Sequence, residues 1–276
     1  MRSDGEEDTD SRVVEESVEP NLSTDQLHDI VLDTITAYPN GDDSLPATED
    51  IRVVVTEERR VESGYYDDEY RPLQGGVHMQ TSRWCVLGCT ACTLATTVRK
   101  HGSYENRLVT AAHCVDDHED SKMYQPGGWG TSFGRPDQIH YEPGLDDAAT
   151  IDLSETDSSA VHRIADDDGG FDYYVRGTVA YDELKDHEND SSYTVYQQGR
   201  TTGRNSGSID FVGSAPHYDL GRLALQDIEV DFGDSGGPMF VTEGSNAYIA
   251  GVLTFFPADG NLMAKIEEVF DVSVWY

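Results

Sequence analysis

Lysine is nearly missing from this chain. Of the 19 basic residues among 276, only Lys100, Lys122, Lys185 and Lys265 are lysines, and 53 Asp and Glu bring the net charge to −34. A surface of that sign repels nucleic-acid phosphates and anionic membranes, so neither is expected as a partner. Long apolar runs are also missing. No stretch approaches the roughly 18–20 residues of a membrane-spanning helix. The opening MRSDGEEDTD has no basic segment followed by an apolar one, so it does not read as a secretory signal. Cysteine is scarce: Cys85, Cys89, Cys92 and Cys114 are the four. Hydrophobic residues reach only 37%, below the roughly 45–50% of ordinary domains, and the deficit is concentrated in the first 70 residues.

What is there divides into unequal parts. The length suits one large domain, or a domain of about 200 residues with an added segment. Residues 1–20 are acidic and patterned as a disordered tail. Residues 22–37 carry Leu27, Ile30, Val31, Thr34 and Ile35 at helical spacing behind Ser23 or Thr24 as a cap. A Pro/Gly/Asp linker (38–50) and a strand-like run (51–58) follow, so 21–74 reads as an extension or a propeptide-like segment. From Gly75 onward, short β-type runs alternate with Gly, Asp and Asn turns. They include 94–98, 107–112, 150–153, 173–181, 193–198, 207–212, 238–242 and 247–256. Such spacing predicts an all-β barrel or sandwich. Residues 262–275 predict a C-terminal helix with a tail.

Three short segments carry chemistry: Thr110-Ala111-Ala112-His113-Cys114 at a strand end, Asp147-Ala148-Ala149-Thr150-Ile151, and Gly233-Asp234-Ser235-Gly236-Gly237-Pro238. A serine hydroxyl is a poor nucleophile until a base takes its proton. Histidine, whose imidazole titrates near pH ~6.5, is the usual base. A carboxylate behind it holds the tautomer and stabilises the imidazolium. The glycines around Ser235 suit a tight turn that aims the N–H groups of Gly233 and Ser235 at a developing oxyanion.

In this order, the three segments resemble the chymotrypsin-like serine peptidases. The resemblance covers roughly 75–256. It implies two antiparallel six-stranded β-barrels, about 75–175 and 176–260, within a peptidase domain of 75–276. It also implies a catalytic His113, Asp147 and Ser235, and hydrolysis of peptide bonds through an acyl-enzyme. Asp146 and Asp152 compete with Asp147 for the carboxylate role. Gly199-Arg200-Thr201-Thr202-Gly203 and Cys92-Thr93-Leu94 are similar to segments of the streptogrisin-like bacterial members. The cysteines that flank the Thr-Thr-Gly turn there are replaced here by Tyr196 and Ser206. By resemblance Cys92 pairs with Cys114, leaving Cys85 and Cys89 to form a small bridge; a four-thiolate zinc site is the alternative. Asp234 is implied to be a buried carboxylate that organises the Ser235 turn, with a new N-terminus as its partner in activated zymogens. Arg71-Pro72-Leu73-Gln74-Gly75-Gly76 faintly resembles a mature start, although Arg71-Pro72 is a poor cleavage bond.

Substrate contacts are expected from Thr254, Phe255 and Phe256, which are bulkier than the family's usual residues there, and from Glu229, an acid that would favour Arg or Lys in the substrate. No cofactor or catalytic metal is called for, though the acids suit a structural Ca²⁺ or Na⁺. The expected partner is a peptide or protein substrate of a monomer, and the resemblance implies secretion. The acid-rich, lysine-poor composition looks like that of extreme halophiles (haloarchaeal-like), whose self-repulsion is screened at molar salt, where the Debye length is ~3 Å. Two rivals remain: a catalytically silent relative that binds peptides in the same cleft, and an esterase.

Overall fold

The computed structural model describes residues 65–81, 91–103, 105–115, 122–125, 131–142, 145–213, 219–255 and 258–274, together with strands at 35–37 and 48–51. The chain separates into two compact units, 1–60 and 61–276. In the first, β1 (Ile35–Ala37) pairs antiparallel with β2 (Thr48–Ile51). The last residues of the predicted 22–37 helix are therefore strand. The rest of that helix, the 1–20 tail and residues 52–58 of the predicted strand lie outside the described residues.

The second unit is built on two sheets. One contains β4 (His78–Gln80), β5 (Ala91–Thr93), β6 (Thr96–Lys100), β7 (Asn106–Thr110), β8 (Met123–Gln125), β9 (Thr131–Glu142), β10 (Asp146–Asp152) and β19 (Val272–Ser273), in the order β19-β6-β7-β10-β9-β8-β4-β5. The other joins β13 (Val195–Gly199), β14 (Gly203–Gly213), β15 (Arg222–Gln226), β18 (Asp259–Leu262), β17 (Asn246–Phe255) and β16 (Pro238–Glu243). Pairing of β16 with both β13 and β17 closes these six strands into a barrel. β12 (Phe171–Thr178), β11 (Ala160–Ala165) and β3 (Leu73–Gly75) continue from β17 along the same sheet. This is the chymotrypsin-like double β-barrel architecture.

The first barrel is a half-barrel, and side chains account for its open seam. Thr97 Oγ1 donates to Val161 O (2.9 Å) and Asn106 Nδ2 to Ala160 O (3.2 Å), so β11 is tied to the β6–β7 edge without a main-chain ladder. β11 and β12, expected as part of the first barrel, hydrogen-bond within the second sheet. β9 escapes a pattern reading because Gly134 and Pro136 interrupt it. A Cβ on Gly134 would lie 2.4 Å from Asp152 O. Pro136, which has no N–H, sits opposite Ile151 where the register slips.

Residues 65–75 belong to the body. Tyr66 and Tyr70 are buried in the core of the first sheet with Leu73, Met79 and Phe133. Arg71 donates to the side-chain and main-chain oxygens of Gln125. The predicted C-terminal helix is α2 (Met263–Phe270), ended by Asp271 in the left-handed region (φ 53°). A shorter α1 (Tyr181–Asp186) occupies the end of the run read as strand 173–181. Met263, Ile266 and Phe270 bury one face of α2 in a core cluster that also holds Phe240 and Ile249 of the closed barrel and Val98 of the half-barrel. No helix among the described residues is long and apolar enough to cross a membrane.

Candidate active site

His113 sits in a 3-10 turn (Ala112–Cys114) at the end of β7. Ala111 and Ala112 are fully buried, and their small side chains let the turn lie flat on the core. Cys92 and Cys114 are joined in a disulfide that staples the turn to β5. That bond removes the four-thiolate zinc alternative, since two of its thiolates do not exist; Cys85 and Cys89 lie outside the described residues.

β10 runs antiparallel to β7 with Ala149 opposite Thr110, which carries Asp147 beside the His113 turn. Asp147 Oδ2 lies 2.5 Å from His113 Nδ1, and Oδ1 accepts the His113 main-chain N–H at 2.8 Å. Asp147 is fully buried while the imidazole remains 31% exposed, so the pair opens to solvent through the ring. Its rivals face elsewhere, as strand alternation requires. Asp146 accepts the N–H groups of Asp219 (2.8 Å) and Leu220 (2.9 Å). Asp152 is 2.9 Å from Arg107 Nη1 and accepts the N–H and hydroxyl of Ser154 (both 2.8 Å).

The Ser235 loop is held by groups from both sheets. Asp234 is fully buried and accepts four hydrogen bonds: from Thr201 N (2.7 Å) and Thr202 N (3.2 Å) at Oδ1, and from Thr202 Oγ1 (2.7 Å) and Asp231 N (3.0 Å) at Oδ2. Burial pushes its carboxyl above the usual range, and these donors pull against that. The carboxylate is thus supplied with donors from inside the chain. A Cβ on Gly199 would lie 2.1 Å from Asp234 Oδ1, so the Gly-Arg-Thr-Thr-Gly turn needs glycine there.

Thr93, on β5 of the half-barrel, reaches the Ser235 loop twice and the Arg200 turn once. Its N–H donates to Ser235 O (2.8 Å), its hydroxyl donates to Gly233 O (2.8 Å), and that hydroxyl accepts Arg200 N–H (3.1 Å). Thr110 Oγ1 in turn donates to Thr93 O (2.9 Å). From the closed barrel, Asn261 Oδ1 accepts the Asp147 N–H (2.8 Å), and Asn261 Nδ2 donates to Gly221 O (2.9 Å). Sequence reasoning missed both roles. The adjacent Cys92 flags the segment of Thr93 but not its hydrogen bonds, and nothing in the sequence signals Asn261.

Two carbonyls set the loop's N–H directions. Phe232 O accepts Thr201 Oγ1 (2.6 Å) and Asp234 O accepts Gly237 N (2.9 Å). Across trans peptides, the Gly233 and Ser235 N–H groups point the opposite way. Neither is used in a hydrogen bond among the described residues. Gly233 has φ +95°, where a side chain would be strained and its Cβ would lie 2.6 Å from Thr201 Oγ1. No hydrogen bond joins the Ser235 hydroxyl to His113 among the described residues. Cys114 Sγ lies 3.8 Å from His113 Nε2 and 3.8 Å from Ser235 O, which brings the two within one neighbourhood.

The expected substrate contacts are less concentrated. Glu229 is exposed and its main-chain carbonyl accepts Thr202 Oγ1 (3.4 Å). Thr254 is buried and its hydroxyl donates to Asp259 O (3.4 Å). Phe255 ends β17; its side chain and Phe256 lie outside the described residues. Phe232, beside Gly233, is 67% exposed, an apolar ring that sequence reasoning did not single out. Tyr196 and Ser206, which replace the two cysteines of the streptogrisin-like pattern, face each other across β13 and β14, and the Tyr196 ring stacks on Phe240 at 5.6 Å.

No protein-family model matches the chain, and no curated protein does. Solved structures do. A glutamic acid-specific serine protease described as using a histidine triad in substrate binding is 19% identical over 74% of this chain and 100% of its own, with a TM-score of 0.54. Nocardiopsis protease (NAPase) is 19% identical over 74% and 98%, TM-score 0.50. Thermobifida fusca protease A is 20% identical over 72% and 96%, TM-score 0.50. At these identities the likeness establishes the fold.

Proposed function

We propose that this chain, built on the fold of the chymotrypsin-like bacterial serine proteases, is a serine endopeptidase that uses His113, Asp147 and Ser235. The observation that carries the reading is the His113–Asp147 pair, a buried carboxylate on a partly exposed imidazole, beside a serine loop with two uncommitted N–H groups. Ser235 Oγ attacks the scissile carbonyl carbon while His113 Nε2 takes its proton. The former carbonyl oxygen, now an anion, is received by the Gly233 and Ser235 N–H groups. The imidazolium then gives its proton to the departing amine nitrogen as the C–N bond breaks, leaving an ester on Ser235. Water, deprotonated by the same nitrogen, hydrolyses that ester. Asp147 stays ionised throughout and fixes the Nδ1–H tautomer. Each oxyanion donor is worth ~100- to 1000-fold in rate.

The substrate is a peptide or protein. The exposure of Glu229 argues against a preference for Arg or Lys set by that residue, and Phe232 offers an exposed apolar ring. A disulfide beside the active site suits an oxidising, extracellular setting. The second reading is a silent peptide binder, favoured by the missing Ser235–His113 hydrogen bond; such bonds in substrate-free enzymes often tighten only with substrate.

A fluorophosphonate probe in molar salt separates the two. Wild type is expected to gain one adduct by intact mass and Ser235→Ala none. A folded wild type that stays unlabelled defeats the enzyme reading.

A further inference from the structure

Away from the candidate active site, three metal-ligating side chains converge where the half-barrel meets the closed barrel. His140 lies on β9 and Asp146 begins the adjacent β10, while Asp219 precedes β15 of the other barrel. His140 Nε2 is 3.4 Å from Asp146 Oδ2 and 3.6 Å from Asp219 Oδ2, and all three donor atoms lie within 4.8 Å of one another.

These separations are long for hydrogen bonds, which cluster at ~2.7–3.2 Å. The two separations from His140 Nε2 are close instead to the edges of a coordination tetrahedron, since ligand bonds of ~2.0–2.1 Å place neighbouring donors ~3.3–3.4 Å apart. A neutral imidazole has one proton at most to offer from Nε2, so it cannot satisfy two carboxylates. Asp146 is 1% exposed and is oriented by the Asp219 and Leu220 N–H groups, so its carboxylate is already fixed in direction. Hydrogen-bonded ligands of this kind are what metal sites use. Asp219 is 71% exposed and His140 31%, leaving water access to a fourth position.

We propose that His140 Nε2, Asp146 Oδ2 and Asp219 Oδ2 bind a divalent transition-metal ion, Zn²⁺ being the best match, with water as the fourth ligand. The nitrogen donor and three-ligand set disfavour Ca²⁺ and Mg²⁺, which take oxygen ligands in larger number. The ion pins the entry to β15 onto the start of β10. That contact is one residue from Asp147, itself held by Asn261 from the same barrel. The site is structural and stands whether or not the chain is a peptidase.

The test is a competition titration of the full chain with Zn²⁺ against a chromophoric chelator in molar salt, where diffuse binding to surface acids is screened. One saturable site is expected in wild type, weakened at least about 100-fold in His140→Gln and in Asp219→Asn, since even outer-shell losses cost 10- to 100-fold. Asp157→Asn, elsewhere on the surface, is expected to leave it unchanged. Co²⁺ bound to wild type is expected to show tetrahedral d–d absorption and X-ray absorption from one imidazole with oxygen neighbours and no sulfur, a readout that needs no variant. Absence of a saturable site overturns the proposal, as does a site retained in both variants or one lost in His113→Gln instead. A His140 that only pairs with the carboxylates and takes up no metal gives the first of these results.

Discussion

The two barrels reach their order by different means. The closed barrel satisfies its backbone by a continuous ring of six strands, and its core of Val195, Ile209, Leu223, Met239 and Leu253 fills the inside. The half-barrel has an open seam and relies on point attachments: the Cys92–Cys114 bond, the Thr97 and Asn106 bonds to β11, and Asn261 reaching across to Asp147. The candidate chemistry follows the same division. The half-barrel presents His113 and Asp147 at strand ends, and the closed barrel presents Ser235 on a loop. The lesson is that the site's geometry depends on the few cross-barrel bonds and not on either barrel alone.

The largest effect should come from separating the two halves chemically. His113→Ala is expected to lower kcat by about 10⁶-fold, and adding Ser235→Ala should lower it little further, because the two act as one unit. A double-mutant kinetic comparison checks this; additive losses would mean the two residues do not work together.

Next in size is the half-barrel's staple. Replacing Cys92 and Cys114 with Ser releases a loop with a sequence separation of 22, which is expected to cost about 3 kcal/mol in denaturant unfolding. Hydrogen exchange should report the loss in β5–β7 before it appears in β13–β18. Uniform loss would erase the contrast between the barrels.

Asn261→Ala tests the clamp from the other side. It leaves the Asp147 N–H and the Gly221 carbonyl without partners, at a cost of about 1–3 kcal/mol. Because Asn261 positions Asp147 without touching substrate, kcat should fall while KM holds. A rise in KM alone would move Asn261 out of this role.

The smallest effect, read at mildly acidic pH, is in pH dependence. His78, on β4 of the half-barrel, is 4% exposed with both ring nitrogens unpartnered among the described residues. Burial first, then the nearby Arg200 charge, push its pKa down to about 3. The unfolded chain therefore takes up this proton near pH 6.5 while the folded chain does not. Stability from His78 is fully present above about pH 6.5 and falls toward pH 3, by about 1.4 kcal/mol per pH unit. At pH 5.5 the loss should be about 1.4 kcal/mol, and His78→Leu should flatten that slope. An unchanged slope would show that His78 is not the group responsible.

The strands were legible where apolar residues alternate between turn residues: 207–212 and 238–242 fall within β14 and β16, and 193–198 overlaps β13 from Val195 onward. They were not legible in β9, where Gly134 and Pro136 break the pattern for reasons that reside in β10. The candidates His113, Asp147 and Ser235 could be picked out because each sits in a short motif of turn and strand residues. Thr93 and Asn261 could not, because their partners are 140 and 114 positions away.

By itself the sequence determined the β character of the main unit, the extreme negative charge and the three residues to examine, since local turn chemistry and side-chain alternation act over a few neighbours. Only the tertiary structure decided the rest. It decided which of Asp146, Asp147 and Asp152 meets the histidine, because strand register selects the face. It decided that Asp234 draws its donors from Thr201, Thr202 and Asp231. It also decided that one barrel closes and the other does not, because closure depends on pairing between strands far apart in the chain.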